Sequence, residues 1–208
     1  MINKKYIQKD LKYIRKEFNQ KLDFEDEYAS HVGRAKYVRL SSGATKNSLY
    51  GLFPPHKHAQ ILIDSSKLGE VVTDEKNIDF KYYFDVDGNV ILLERFDPTS
   101  QYNAKLISTI FVEHKKRKIN TLFCKGKTGN ITTVAQCKLD LFGRLIRYME
   151  CTCGVDGYPY VYTVLRLKHT AGRIKIKQSV YSIWQARDET LESERSYVFK
   201  HGKLREKK

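Results

Sequence analysis

The chain has 208 residues, 41% of them hydrophobic and 12% aromatic, with only 4 prolines and 12 glycines. This composition excludes a disordered or low-complexity protein, because it supplies enough apolar surface to bury a core. The formal net charge of +14 predicts either an anionic partner (nucleic acid, an acidic protein or a membrane surface) or a basic surface without a specific partner.

The first residues lack the pattern of a secretory signal. Residues 1–5 lead straight into a charged stretch, and no apolar run approaches the ~20 residues that span a membrane. The 4 cysteines match no paired zinc spacing and are typical of a reduced compartment; they are Cys124, Cys137, Cys151 and Cys153. We therefore expect a cytoplasmic protein without a cofactor or a bound metal.

Residues 3–22 have the spacing of an amphipathic helix. Apolar side chains recur at steps of three and four, at Ile7, Leu11, Ile14, Phe18 and Leu22. Basic residues occupy the opposite side, at Lys5, Lys9, Lys12, Arg15 and Lys16. The pattern predicts a helix that packs on a sheet and turns a solvated basic back outward; a helix lying on a membrane surface is the alternative.

The next segment, 23–60, predicts irregular chain, and β patterns begin at residue 61. Short strands are expected at 61–63 and 71–72. The first marked hairpin runs over 80–85 and returns over 90–96. Its tip, Asp87-Gly88, favours a type I′ turn, which places Lys81 opposite Glu94, Tyr82 opposite Leu93, Tyr83 opposite Leu92 and Phe84 opposite Ile91.

Further runs of β-branched and aromatic residues predict strands at 106–112, 119–125, 131–139, 145–151, 158–168, 174–184, 195–200 and from 204 onward. The expected fold class is α+β: an N-terminal helix packed on a large, twisted, mostly antiparallel β-meander of eight to eleven strands. We expect a single domain over 1–208, with a helix at 3–22, an irregular segment at 23–60 and the β-hairpin meander at 61–208.

A glycine followed by a polar and then an aliphatic residue recurs at the expected tips: Gly88-Asn89-Val90, Gly129-Asn130-Ile131, Gly143-Arg144-Leu145, Gly172-Arg173-Ile174 and Gly202-Lys203-Leu204. In two of them an aspartate precedes the glycine by three residues, as Asp85 and Asp140. This arrangement resembles the YD-repeat of Rhs-type bacterial proteins, with Phe84 and Leu139 where that family prefers Tyr. The resemblance implies the hairpin geometry.

The pair of strands around Gly172 predicts a basic sheet face. A loop centred on Thr170-Ala171 places Lys168 opposite Arg173 and Arg166 opposite Lys175, while the alternate positions are apolar. Opposed like charges are destabilising, so we expect an anionic partner, acids on a neighbouring strand, or solvation to offset them. Tyrosines share this face, and the candidate partner-binding residues are Tyr160, Tyr162, Arg166, Lys168, Arg173, Lys175 and Lys177.

Two further groups are weaker candidates. A secondary basic patch follows His114 at an expected turn and comprises Lys115, Lys116, Arg117 and Lys118. His56 and His58 flank Lys57 after Pro54-Pro55, in a spacing that suits acid–base work or metal binding, although nothing places a third ligand beside them.

These features predict a non-enzymatic protein-binding module that presents a basic, Tyr-rich sheet face to an acidic partner. A small cytosolic β-meander with Rhs-like hairpins resembles a bacterial immunity protein, and the resemblance implies neutralisation of a toxin through that face. An RNA- or DNA-binding protein using the same face is the alternative. A small nuclease dependent on His56 or His58 is the third.

Overall fold

The computed structural model describes residues 4–19, 22–42, 70–73, 78–97, 105–153, 159–170, 173–184, 188–200 and 203–207. Two helices come first, α1 (Lys4–Asn19) and α2 (Phe24–Arg34). The strands follow: β1 (Tyr37–Ser42), β2 (Glu70–Val72), β3 (Phe80–Phe84), β4 (Val90–Asp97), β5 (Lys105–Lys115), β6 (Lys118–Lys125), β7 (Ile131–Leu139), β8 (Leu145–Cys153), β9 (Pro159–Thr170), β10 (Arg173–Trp184), β11 (Asp188–Lys200) and β12 (Lys203–Lys207).

All twelve described strands join one antiparallel sheet in the order β12-β11-β10-β9-β8-β7-β6-β5-β4-β3-β1-β2. The predicted class of α+β is therefore wrong: the fold is nearly all-β, with two short helices as its only described helices. The predicted antiparallel meander is confirmed from β3 to β12, where every strand pairs with its neighbour in the chain. Among the described residues, helix is confined to the first 34 residues and strands make up most of the rest, and that imbalance sets the class.

The segment predicted to be irregular, 23–60, contains a helix and a strand. Asp23 caps α2 by accepting a hydrogen bond from the Asp26 backbone N–H at 3.3 Å, and acids in the first turn suit the positive end of the helix. Strand β1 then pairs with both β2 and β3. The predicted strand at 61–63 lies outside the described residues.

The two helices cover one face of the sheet, which we call the helix-covered face. Helix α1 packs through Ile14, which is fully buried against residues of β8, β9 and β10. Helix α2 packs through Phe24 against a second cluster that includes Tyr83, Leu92 and Phe111. The opposite face carries the largest core cluster, whose described buried members all come from β3 to β10. Both faces of the central strands are therefore apolar, as in a core layer.

Two hairpin tips share one hydrogen-bonding pattern. At the β3–β4 tip, the Asp85 Oδ1 atom accepts from the backbone N–H groups of Asp87 and Asn89, at 2.9 and 2.8 Å. At the β7–β8 tip, Asp140 Oδ1 accepts from Phe142 and Arg144, both at 2.9 Å. An aspartate at this position therefore holds the whole turn.

The glycine of each tip completes the turn. Gly88 and Gly143 donate to the carbonyl oxygens of Asp85 and Asp140, both at 3.2 Å, and have φ of 76° and 72°. A side chain would strain this left-handed conformation, which explains the glycine three residues after each aspartate. Glycine is required at position 129 for a different reason. A Cβ atom at Gly129 would lie 2.5 Å from the carbonyl oxygen of Leu22, in the link between the two helices.

The predicted Asp87-Gly88 turn is displaced by one residue. Its central residues are Val86 and Asp87, and Gly88 follows as a bulge, the pattern of a type I turn rather than type I′. Phe84 consequently pairs with Val90, not with Ile91. The pairs nearer the strand centres are as predicted: Lys81 with Glu94, Tyr82 with Leu93 and Tyr83 with Leu92.

We expect Asp85→Ala to lower the free energy of unfolding at pH 7 by about 1–2 kcal/mol, because two backbone donors lose their acceptor. Asp87→Ala removes a charge from the same tip without removing these hydrogen bonds and should change stability by less than about 0.5 kcal/mol. Urea denaturation measures both; equal losses would contradict the role given to Asp85.

The effect of Asp85→Ala should also depend on pH. Burial acts to raise the pKa of Asp85, but the hydrogen bonds from Asn89 and Asp87 outweigh it and lower that pKa below its ordinary value. A lowered pKa in the folded state means that the stabilisation is complete above the unfolded pKa of about 3.9 and is lost as the pH falls through the folded value. The difference in the free energy of unfolding between wild type and Asp85→Ala should therefore become smaller below about pH 4.

Candidate functional site

Six basic residues lie side by side on six consecutive strands of the helix-covered face. Direct cross-strand pairs join Lys115 to Lys118, Lys118 to Lys138, Lys138 to Arg147, Arg147 to Arg166, and Arg166 to Lys177. We call Lys115, Lys118, Lys138, Arg147, Arg166 and Lys177 the cationic row. With neighbouring strands about 4.8 Å apart, the row extends over roughly 24 Å.

The same face changes from apolar to basic along the strands. A second row, which mixes polar and apolar side chains and which we call the mixed row, lies two residues farther along each strand than the cationic row. It includes Glu113, Asn120, Gln136 and Met149. Two residues farther lies an apolar row that includes Phe111, Leu122, Val134 and Cys151. Because side chains alternate with a period of two, all three rows share one face. Helix α1 packs on Met149 and Cys151 of these rows, helix α2 packs on Phe111, and the cationic row lies at the edge of α1.

Helix α1 and the cationic row form the two walls of a groove of about 690 Å³, which we call the basic groove. Lys9, Lys12 and Lys16 line it from the helix, and Lys118, Lys138, Arg147 and Arg166 line it from the sheet. The lining contains one carboxylate, that of Asp10. Seven cations against one anion give this groove a strongly positive electrostatic potential.

A buried cluster at the floor of the groove fixes α1 to the sheet. Asp10 is 8% exposed, and its Oδ2 atom accepts from the Arg147 guanidinium and, at 2.5 Å, from the Tyr162 hydroxyl. Arg147 also donates to the Tyr162 hydroxyl oxygen, at 3.3 Å. Burial of a carboxylate is costly unless such partners are present, so the cluster defines where the helix lies.

The pKa values in this cluster reflect its burial. Burial raises the pKa of Tyr162 to about 12, although Arg147 and Arg166 act in the opposite direction. Burial also lowers the pKa of Arg147, as does the charge of Arg166, whereas Tyr162 raises it. An arginine remains cationic despite this, because its ordinary pKa is above 12. At neutral pH the groove therefore has a protonated tyrosine and a charged arginine at its floor.

The residues of the cationic row differ in their acidic partners. Lys115 lies 3.0 Å from Glu113, Lys177 lies 2.5 Å from Glu194, and Arg147 contacts Asp10. Within the described part of the chain, Lys118, Lys138 and Arg166 have no carboxylate partner. Acids therefore offset the two ends of the row and Arg147, and positive charge remains on the other three residues.

The basic residues predicted around Gly172 share one face of the sheet, but their cross-strand pairs differ from the predicted ones. Arg166, Lys168, Lys175 and Lys177 share the helix-covered face, as expected, but Lys168 pairs with Lys175 and Arg166 with Lys177. Arg173 pairs with Thr170. The register thus differs from the predicted one by two residues, and a shift of two leaves every side chain on its predicted face.

Of the two predicted tyrosines, the one whose side chain is described, Tyr162, is not exposed. Tyr162 is fully buried beneath α1, so it is unavailable to a partner, and the placement of the Tyr160 side chain lies outside the described residues. The sequence pattern of a tyrosine that alternates with basic residues along one strand is compatible with a buried or an exposed side chain. Only the docking of α1 through Asp10 decides that Tyr162 is part of the core.

The secondary patch, Lys115 to Lys118, forms the β5–β6 turn. Its first and last residues belong to the cationic row, whereas Lys116 and Arg117 occupy the exposed tip. Sequence reasoning missed Lys138 and Arg147, and it treated Lys9, Lys12 and Lys16 as a solvated helix back. Residues 43–69 lie outside the described chain, so nothing tests the predicted roles of His56 and His58.

Helix α1 separates the basic groove from a second cavity of about 460 Å³ on its other side. The charged and titratable side chains that line only this second cavity are Glu17, Glu27, Glu113, His31 and Lys115, whereas Tyr13 and Lys16 line both cavities. Burial lowers the pKa of His31, which favours its neutral form. The second cavity is therefore less positive than the basic groove.

The described residues contain no group of three or more His, Cys, Asp or Glu side chains arranged to hold a metal ion. Cys124, Cys137 and Cys151 are buried, and burial raises the pKa of Cys124 to about 12. Neither described helix is long and apolar enough to cross a membrane. The cytoplasmic location stays a prediction.

Comparison with known proteins gives no match: no family model, no curated protein and no solved structure is similar to this chain.

We expect Asp10→Ala to lower the free energy of unfolding by about 3 kcal/mol, because it leaves the half-buried Arg147 without its counter-charge. The double variant Asp10→Ala/Arg147→Met should recover much of that loss, since it removes both charges together. Urea denaturation of the singles and the double completes a double-mutant cycle. Lys12→Ala, on the exposed side of the same helix, is the control, and additive effects of the two substitutions would contradict the coupling.

Proposed function

We propose that this protein is a non-enzymatic binding module and that its basic groove binds the phosphate backbone of a nucleic acid. The observation that carries the proposal is the cationic row: six basic side chains lie on consecutive strands, and the four in its middle face three lysines of α1 across a groove. A nucleic-acid backbone is a continuous line of negative charge, and a continuous line of cations is its complement.

The distribution of acids supports the same ligand. Between Lys118 and Arg166 the only described carboxylate in the groove is Asp10, which is already held by Arg147 and Tyr162. The middle of the row therefore offers Lys118, Lys138 and Arg166 to a ligand, without a described acid to displace. Contacts of this kind are independent of base identity, so we propose binding without strong sequence preference.

An acidic protein partner, such as a toxin neutralised by an immunity protein, would contact the same residues. The burial of Tyr162 removes an exposed tyrosine of the kind that anchors protein interfaces, and this weakens the protein-partner alternative. The surface of an acidic protein contains apolar and polar residues as well as acids, so it complements a row of cations less well than the phosphates of a nucleic acid do. The acidic partner is therefore the competing outcome of the test below.

We expect the wild-type protein to bind a mixed-sequence single-stranded oligonucleotide with an affinity that falls steeply as salt increases. Lys118→Ala/Lys138→Ala should reduce the slope of log K against log salt by about 1.4, because two phosphate contacts are lost. Lys105→Ala/Lys125→Ala removes the same charge from the other end of the strands and should leave the slope within error. Fluorescence anisotropy across a salt series measures all three proteins.

Two outcomes would contradict the proposal. One is an equal change of slope in both double variants, because the protein would then bind through its net charge alone. The other is displacement of the oligonucleotide by poly-glutamate at the same concentration of negative charge, which would favour an acidic protein partner. Circular dichroism of each variant checks that the fold is intact.

A further inference from the structure

The β7–β8 tip exposes two apolar side chains although its backbone is fully held. Leu141 is 77% and Phe142 is 80% exposed, which places them among the most exposed large apolar residues described. An exposed phenylalanine contributes nothing to the core and presents apolar surface to water. The ring of Phe142 is therefore available for contact with a partner.

The turn itself does not require an aromatic residue. The β3–β4 tip has the same hydrogen bonds around Asp85, and at the position of Phe142 it carries Asp87. Since an aspartate serves equally well there, the geometry of the turn does not explain Phe142. The two tips thus have the same turn structure, and only the β7–β8 tip carries an exposed aromatic ring at this position.

The ring of Phe142 is presented in a defined position. Its backbone N–H is bonded to Asp140, and Gly143 completes the turn with φ of 72°. Arg144 donates through Nε to Asp140 Oδ2 at 2.7 Å, and its guanidinium lies 5.1 Å from the centroid of the Phe142 ring. A ring held in this way loses little freedom when it binds, and that raises affinity.

The tip lies beside the cationic row. Lys138, in the middle of the row, precedes Asp140 by two residues on β7, and Arg147 follows Arg144 by three on β8. At about 3.3 Å per residue, the tip is roughly 10 Å beyond the row. A strand whose phosphates lie on Lys118, Lys138 and Arg166 therefore passes within reach of Phe142 with its bases.

We propose that Phe142, backed by Arg144, stacks on an unpaired base of the nucleic acid that occupies the basic groove. The inference rests on the proposed function and makes its ligand more specific: a single strand, whose unpaired bases are free to stack on an aromatic ring. A duplex, whose bases are already stacked on one another, is not the ligand. Base–aromatic stacking tolerates any base, because every base has a π-face, and this agrees with binding by backbone charge.

The test compares Phe142→Ala with Val86→Ala, which truncates an exposed apolar residue at the matching β3–β4 tip. We expect Phe142→Ala to weaken binding of a mixed-sequence single strand about tenfold, with the salt slope unchanged, since a base contact is lost and no phosphate contact is. Phe142→Trp should restore the affinity, and Val86→Ala should leave it unchanged. Anisotropy over the same salt series gives both quantities.

A strand with abasic sites throughout its centre retains the phosphates and lacks the bases. Wild type should bind this strand as weakly as Phe142→Ala binds the ordinary one, and Phe142→Ala should not distinguish the two strands. Equal binding of both strands by wild type would overturn the stacking role of Phe142 while leaving the groove as a phosphate site. Equal weakening of single-strand and duplex binding by Phe142→Ala would overturn the preference for unpaired bases. Absence of salt-dependent binding to any strand would instead overturn the proposed function itself.

Discussion

The contact of Asp10 with Arg147 and Tyr162 decides how the rest of the candidate site is arranged. A buried carboxylate is tolerated only where donors meet it, so this contact sets the place of α1 on the sheet. Ile14, one turn farther along the helix, then packs onto the apolar rows. Because Arg147 is also a member of the cationic row, the helix is fixed beside the row, and its lysines form the facing wall of the groove.

The second helix is held by a comparable device. Glu94 is 4% exposed and accepts hydrogen bonds from the hydroxyl groups of Tyr83, at 2.8 Å, and Tyr28, at 3.2 Å. Each helix is thus attached to the sheet by an apolar contact and by a buried carboxylate with tyrosine donors. The α1 anchor differs in that it contains Arg147, which belongs to the cationic row. At α1, the docking of the helix and the charge of the site are therefore coupled.

A row of like charges opposes folding, and the sheet tolerates it because both of its faces also bury apolar clusters. Each directly opposed pair costs a few tenths of a kcal/mol to about 1 kcal/mol. Glu113, Asp10 and Glu194 offset part of that cost, and the cations between them are left to solvent. An anionic ligand that lies on these cations stabilises the folded state by binding it. The hairpin tips follow a related rule: Asp140 and Gly143 hold the turn, so the residue between them is free to serve binding.

Much of this fold follows from local sequence. The period of the strands, the Asp and Gly of the two tips and the shared face of Arg166, Lys168, Lys175 and Lys177 can all be read from neighbouring residues, because a β-strand alternates with a period of two whatever surrounds it. Helix α2 was missed because its short, acidic sequence is stabilised by Phe24 packing on the sheet. The cationic row was missed because it joins side chains as far apart as Lys115 and Lys177, which only the order and register of six strands bring together. Tyr162 lies in the core and not on the surface for the same reason: the sequence determines which residues share a face, and the docking of α1 determines which part of that face is covered.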